Sequence, residues 1–60
     1  MNEKLKTIRN ERNMYQHEVA KLIGINERTY SLKERSIHDF TITEARRLAR
    51  VFNCTLNDLF

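Results

Sequence analysis

The sequence predicts an all-α fold, a compact bundle of about five short helices. Apolar residues recur at helical spacing along the whole chain, and no segment alternates with period two over a useful length. There is no proline, and residues suited to starting or stopping helices recur at short intervals. Sixty residues without a linker, repeat or low-complexity stretch predict one unit over residues 1–60. A chain this short buries a modest share of its surface, so its stability should be marginal.

The elements follow in order. A first helix is expected from near Asn2 to about Arg12, with Leu5 and Ile8 on one face and Asn13 as a left-handed stop. Met14 should then pack inward. A second helix over Gln16 to Ile23 places Val19, Ala20, Leu22 and Ile23 on one apolar stripe, and the small Ala20 lets another helix approach closely. Gly24 ends it, since glycine enters positive φ at no steric cost. Asn26 is a strong N-cap for a third helix, Glu27 suits the positive end of that helix's dipole, and Tyr30 is its main inward residue. Residues 35–40 form a loop in which Ile37 and Phe40 tuck under the domain. Thr41 and Glu44 fit a capping box opening a fourth helix, which turns Ile42, Ala45, Leu48, Ala49 and Phe52 inward and is closed by Asn53. Thr55 caps a last turn, with Asp58 three residues on and Leu56, Leu59 and Phe60 supplying apolar weight.

Composition narrows the function. Eleven Lys and Arg against eight Asp and Glu leave a net charge of +3, which attracts polyanions without proving that they are the partner. The lone Cys54 rules out an internal disulfide and suggests a reducing compartment. The longest apolar run is two residues, too short for a membrane span or a signal-peptide core. A cytoplasmic protein is expected.

Residues 16 to 36 carry the most information. An amphipathic helix, a turn at the only glycine, and a second short helix with a polar, hydrogen-bonding exposed face make the plan of a helix-turn-helix, whose second helix enters the DNA major groove. Two helices crossing at a wide angle need a small contact residue, a glycine-type turn and an apolar residue inside the second helix. Ala20, Gly24 and Tyr30 fill those places.

From Leu5 to Phe60 the chain resembles the lambda repressor-like family, the Cro and repressor type also called XRE. The resemblance rests on Leu5, Ile8 and Arg9; on Gln16, Val19, Ala20, Leu22, Gly24 and Ile25; on Thr29, Tyr30, Ser31 and Glu34; and on the ending Cys-Thr-Leu-Asn-Asp-Leu-Phe. It implies five helices and sequence-specific binding of double-stranded DNA as a two-fold dimer. It places a phosphate contact on Gln16, where the helix N-terminus already favours an anion, and base-reading positions on Glu27, Arg28 and Leu32, with Thr29 possible. Arg28 can fork onto guanine O6 and N7, Glu27 can accept from a cytosine amino group, and Leu32 can touch a thymine methyl. Tyr15, His17, Ser31, Lys33 and Arg35 complete the expected phosphate contacts. The resemblance also pairs Arg9 with Glu34 across the first and third helices.

The chain departs from the family pattern in four places. Tyr15 stands where Ser, Thr or Asn usually caps the second helix, so its hydroxyl is free to meet a phosphate instead. Lys33 occupies a commonly apolar position, from which its stem must snorkel. Ser36 replaces a frequent glycine, and Asp39 sits in a loop that often faces phosphate.

Arg46, Arg47 and Arg50 read better as a solvated outer face than as a second DNA stripe. His17, His38 and Cys54 match no zinc-site spacing and lack a fourth ligand, so no metal is expected. Ser31 has no base at a readable spacing and no phosphate-cradling glycine loop exists, so neither an enzyme nor a cofactor or small-molecule substrate is expected. The expected function is a phage-type or bacterial Cro-like repressor that occludes an inverted-repeat operator as a homodimer, with Leu59 and Phe60 at the dimer contact. The alternatives are an autoregulating antitoxin, a restriction-modification controller, or a protein-interaction module, the last supported by acidic Glu27 at the head of the third helix.

Overall fold

The computed structural model describes residues 3–60, and within them the chain forms five helices: α1 Glu3–Glu11, α2 Gln16–Ile23, α3 Glu27–Glu34, α4 Ile42–Phe52 and α5 Leu56–Leu59. No strand occurs among the described residues. The expected start of the first helix at Asn2 lies outside them. The starts are set by local chemistry. Asn26 Oδ1 accepts from the Thr29 N–H at 2.7 Å, and Thr41 and Thr55 form reciprocal capping boxes with Glu44 and Asp58.

The first four helices stop in the same way. Each runs into a left-handed residue, Asn13 (φ 55°), Gly24 (φ 83°), Ser36 (φ 64°) or Asn53 (φ 53°). That residue's N–H bonds the carbonyl three back, and the next residue's N–H bonds the carbonyl five back, as in Gly24 to Lys21 at 3.3 Å and Ile25 to Ala20 at 3.0 Å. This double closure satisfies carbonyls that a helix end leaves without partners, and it aims the following residue back at the body. Met14, Ile25 and Cys54, which follow three of these stops, pack against the core. Ile37 follows the fourth and stays 57% exposed, so the expectation that it tucks under the domain fails. Phe40 holds that loop instead. Its ring lies 5.9 Å from Tyr30 and 5.8 Å from Phe60, centroid to centroid.

The core comprises Leu5, Val19, Ala20, Ile23, Tyr30, Leu48, Phe52 and Leu59, contributed by all five helices. α2 packs on α3 and α4, while α1 bridges α5 and α3. Two expected core residues are outside. At about 100° per residue, Leu22 falls beyond the stripe set by Val19, Ala20 and Ile23, and it is 57% exposed. Ile42 lies in the first turn of α4, past the reach of the neighbouring helices, and is 71% exposed. Ala45 and Ala49 are half-buried, Ala49 packed against the core and Ala45 beside the groove that Phe40, Ile42 and Phe60 line.

Candidate nucleic-acid interface

α3 is a helix whose inner side is locked and whose outer side is open. Tyr30 and Glu34, one turn apart, are its buried residues. Arg28, Leu32 and Arg35 point away from them at helical spacing and form the outer face, Ser31 lies at its margin, and Glu27 sits at the N-terminal end of the helix on the Tyr30 and Glu34 side. Glu27, Arg28 and Arg35 are exposed, and Ser31 and Leu32 are half-buried. Thr29 sits at the edge of that face, its N–H held by the Asn26 cap.

Beneath this face is a buried polar cluster. Arg9 Nε and Nη2 donate to the two oxygens of Glu34 at 2.9 and 3.0 Å, and Arg9 Nη1 donates to the Met14 carbonyl at 2.8 Å. The structure therefore brings Arg9 and Glu34 together in a two-pronged pair, with α1 tied to α3 and to the turn before α2. Gln16 joins the cluster, donating from Nε2 to Glu34 Oε1 at 3.3 Å. Burial pushes the Glu34 carboxyl pKa up, but the hydrogen bonds from Arg9, the nearby Tyr30 hydroxyl and the bond from Gln16 outweigh it, leaving the group below its ordinary value. The Tyr30 hydroxyl lies close enough to feel Glu34 but makes no hydrogen bond of its own. Burial, reinforced by Glu34, raises its pKa.

The N-terminus of α2 lies beside this cluster. Gln16 is the first helical residue, half-buried, with an amide that Glu34 orients. Tyr15 supplies no side-chain cap, as its residue type implied, but its N–H donates to Glu18 Oε1 at 2.8 Å. That reciprocal bond was legible as a Glu three residues beyond the cap position, although the sequence reading passed over it. The Tyr15 ring is exposed and stacks on His17, and His17 Nδ1 lies 4.0 Å from Glu27 Oε2.

Three expected roles are placed elsewhere by the fold. Lys33 faces α4, where its Nζ donates to Glu44 Oε1 at 2.6 Å and lies 6.0 Å from the Phe40 ring centre. Its side chain keeps only 13% of its exposure, so it belongs to the α3 to α4 contact and is poorly placed for the expected phosphate role. Burial raises the Glu44 pKa, while the bonds from Lys33 and the Thr41 N–H bring it below the ordinary value. Leu59 is fully buried and cannot meet a partner, whereas Phe60 is 44% exposed and lines a groove with Phe40, Ile42 and Ala45. Arg47 is no merely solvated residue: its Nη1 donates to the Ile23 carbonyl at 3.0 Å, bracing the end of α2 at the turn into α3. Arg46 and Arg50 stay exposed. Cys54 is half-buried, and burial, with Asp58 nearby, holds its thiol pKa above the usual value, which disfavours the reactive thiolate. Among the described residues no group of His, Cys, Asp or Glu is placed to hold a metal ion, and no helix is long and apolar enough to cross a membrane.

Comparison with known proteins agrees with this geometry. The sequence model of the helix-turn-helix family matches residues 5–59. Two proteins of Archaeoglobus fulgidus, both named "Uncharacterized HTH-type transcriptional regulator", are 33% and 32% identical over all 60 residues of this chain, which span 84% and 86% of their lengths. Braced by the Arg9–Glu34 pair and stopped at Gly24, with α3 turned outward, the chain belongs to the helix-turn-helix family of DNA-binding transcriptional regulators.

Proposed function

We infer that this protein is a Cro-like repressor that binds an inverted-repeat operator as a homodimer and acts by occluding it. The observation that carries the reading is the division of α3 into a side anchored by Tyr30 and Glu34 and an outward side of Arg28, Leu32 and Arg35 with Ser31 at its margin, Glu27 being exposed at the helix N-terminus. An eight-residue helix spans about 12 Å, enough to lay a few side chains along a major groove. Arg28 reads guanine, Glu27 a cytosine amino group and Leu32 a thymine methyl, with Thr29 at the margin. Gln16 and the first turn of α2 meet phosphate, flanked by Tyr15, His17, Ser31 and Arg35.

One such helix covers too few base pairs to single out an operator, so two copies are needed in successive major grooves, about 34–36 Å apart. The body measures 23 × 20 × 20 Å, so two copies fit side by side at that spacing. Phe60 and Ile42, both exposed at the groove beside Phe40, supply the contact between copies. The whole 60-residue chain acts as one binding unit, in the cytoplasm where the DNA is, without catalysis or cofactor.

Selection of sites from a random duplex pool tests the reading. An inverted repeat should emerge, with log K falling against log salt by about 0.9 per phosphate contacted. A flat salt response, or selected sites without a dyad, sinks it.

A further inference from the structure

At the meeting of the α2 and α3 N-termini the structure holds a small exposed cluster that the phosphate and base roles above do not explain. The Tyr15 and His17 rings stack with centroids 5.5 Å apart and planes 11° from parallel. His17 Nδ1 faces Glu27 Oε2 at 4.0 Å. Glu27 is the first residue of α3 and the only exposed carboxylate on that helix, Glu34 being buried. A bare carboxylate brought up to the phosphate backbone is repelled. An imidazolium 4.0 Å away offsets that charge, and a neutral imidazole does not. Imidazole is the side chain that ordinarily changes charge between about pH 5 and 8.

The charged groups around His17 are few. From α3 there is Glu27. On α2 itself are Glu18, whose carboxylate already accepts the Tyr15 N–H, and Lys21 one turn further on. Tyr15 supplies the ring beneath.

We propose that His17 is a specificity-determining residue of the DNA interface: in its charged form it holds the Glu27 carboxylate at the head of α3, where it accepts from a cytosine amino group, and relieves the repulsion between Glu27 and the backbone. The inference rests on the DNA-facing role of α3 proposed above. It makes discrimination at one base, and affinity with it, depend on pH through a pair of residues in different helices.

The test measures affinity for the selected duplex, and for the duplex with that cytosine replaced, at about pH 6 and about pH 8 at fixed salt. Wild-type protein should bind the selected site about twofold to fivefold more tightly at the lower pH, the scale of one exposed ion pair. The penalty for replacing the cytosine should grow there too. His17→Gln and Glu27→Gln should each lose both effects. His17→Lys, charged throughout, should show the low-pH behaviour at both values, and His38→Gln should keep the wild-type ratio. Binding that is equal at the two pH values, or a His17→Gln variant that keeps the wild-type ratio, removes this role and leaves α3 as a DNA reader. Failure to bind any duplex at either pH overturns both.

Discussion

Arg9 and Glu34 are joined by two hydrogen bonds, Nε to Oε2 at 2.9 Å and Nη2 to Oε1 at 3.0 Å, and both residues are buried. The pair links α1 to α3, the helix proposed to face DNA. Removing either partner strands a charge in a poorly solvated place, so Arg9→Ala and Glu34→Ala should each cost about 3–5 kcal/mol. In a domain this small that is most of the stability. The double variant should lose less than the sum, and an Arg9→Met, Glu34→Leu pair should regain much of it, as read from a double-mutant cycle in urea. Additive losses would falsify the coupling.

Acid should weaken the fold in a defined window. Glu34 and Glu44 have folded pKa values below those of the unfolded chain, so the folded state binds fewer protons there. Their contribution is fully present above the unfolded carboxylate value of about 4.3. It is lost as pH falls through the depressed folded values. Thermal melts between about pH 3 and 6 should show a falling midpoint below the ordinary carboxylate range. A Glu44→Gln variant should melt lower at neutral pH and show a shallower acid slope.

The Tyr30 hydroxyl is buried without a hydrogen bond, while its ring fills the centre of the core. Tyr30→Phe removes a desolvated polar group and keeps the volume, so stability should change by less than about 1 kcal/mol, or rise. Tyr30→Ala leaves a cavity and should cost about 3–5 kcal/mol. A large loss in the Phe variant would show that the hydroxyl's electrostatic effect on Glu34 matters more than its desolvation.

Gly24 occupies φ 83° at the turn between α2 and α3, and a Cβ there would come 3.2 Å from Arg47 Nη1. The arginine tip can move aside, but the backbone angle cannot relax without opening the turn. Gly24→Ala should therefore cost about 1–2 kcal/mol, the penalty of a left-handed residue with a side chain. The loss should persist in an Arg47→Ala background, where the near contact is gone. Denaturant melts of the four proteins separate the two causes.

Gln16 and Arg28 should fail in different ways. With Gln16 at phosphate, as proposed, Gln16→Ala should weaken binding to every duplex alike. Arg28→Ala should cost about 1–3 kcal/mol on the preferred site and relax one base position. If both variants merely scale affinity across a panel of operator variants, Arg28 is another backbone contact.

The sequence by itself determined most features whose cause lies within a few residues, though the Tyr15 to Glu18 bond and the left-handed Ser36 were not foreseen. The Asn26, Thr41 and Thr55 caps reach three residues ahead, and Asn13, Gly24 and Asn53 stop helices through their own backbone freedom. Helical period placed Leu5, Val19, Tyr30, Leu48 and Phe52 inside because repetition along one helix identifies its buried side. Tertiary structure alone decided how far each buried stripe extends, which is why Leu22 and Ile42 are outside: helices of eight and eleven residues cross only over part of their length. It also decided the partners of long polar side chains. Lys33 meets Glu44, Arg47 meets the Ile23 carbonyl, and Gln16 meets Glu34, at sequence separations of 11, 24 and 18 residues. No local pattern encodes such meetings, since a flexible charged or amide side chain takes whichever buried acceptor the packed helices bring within reach.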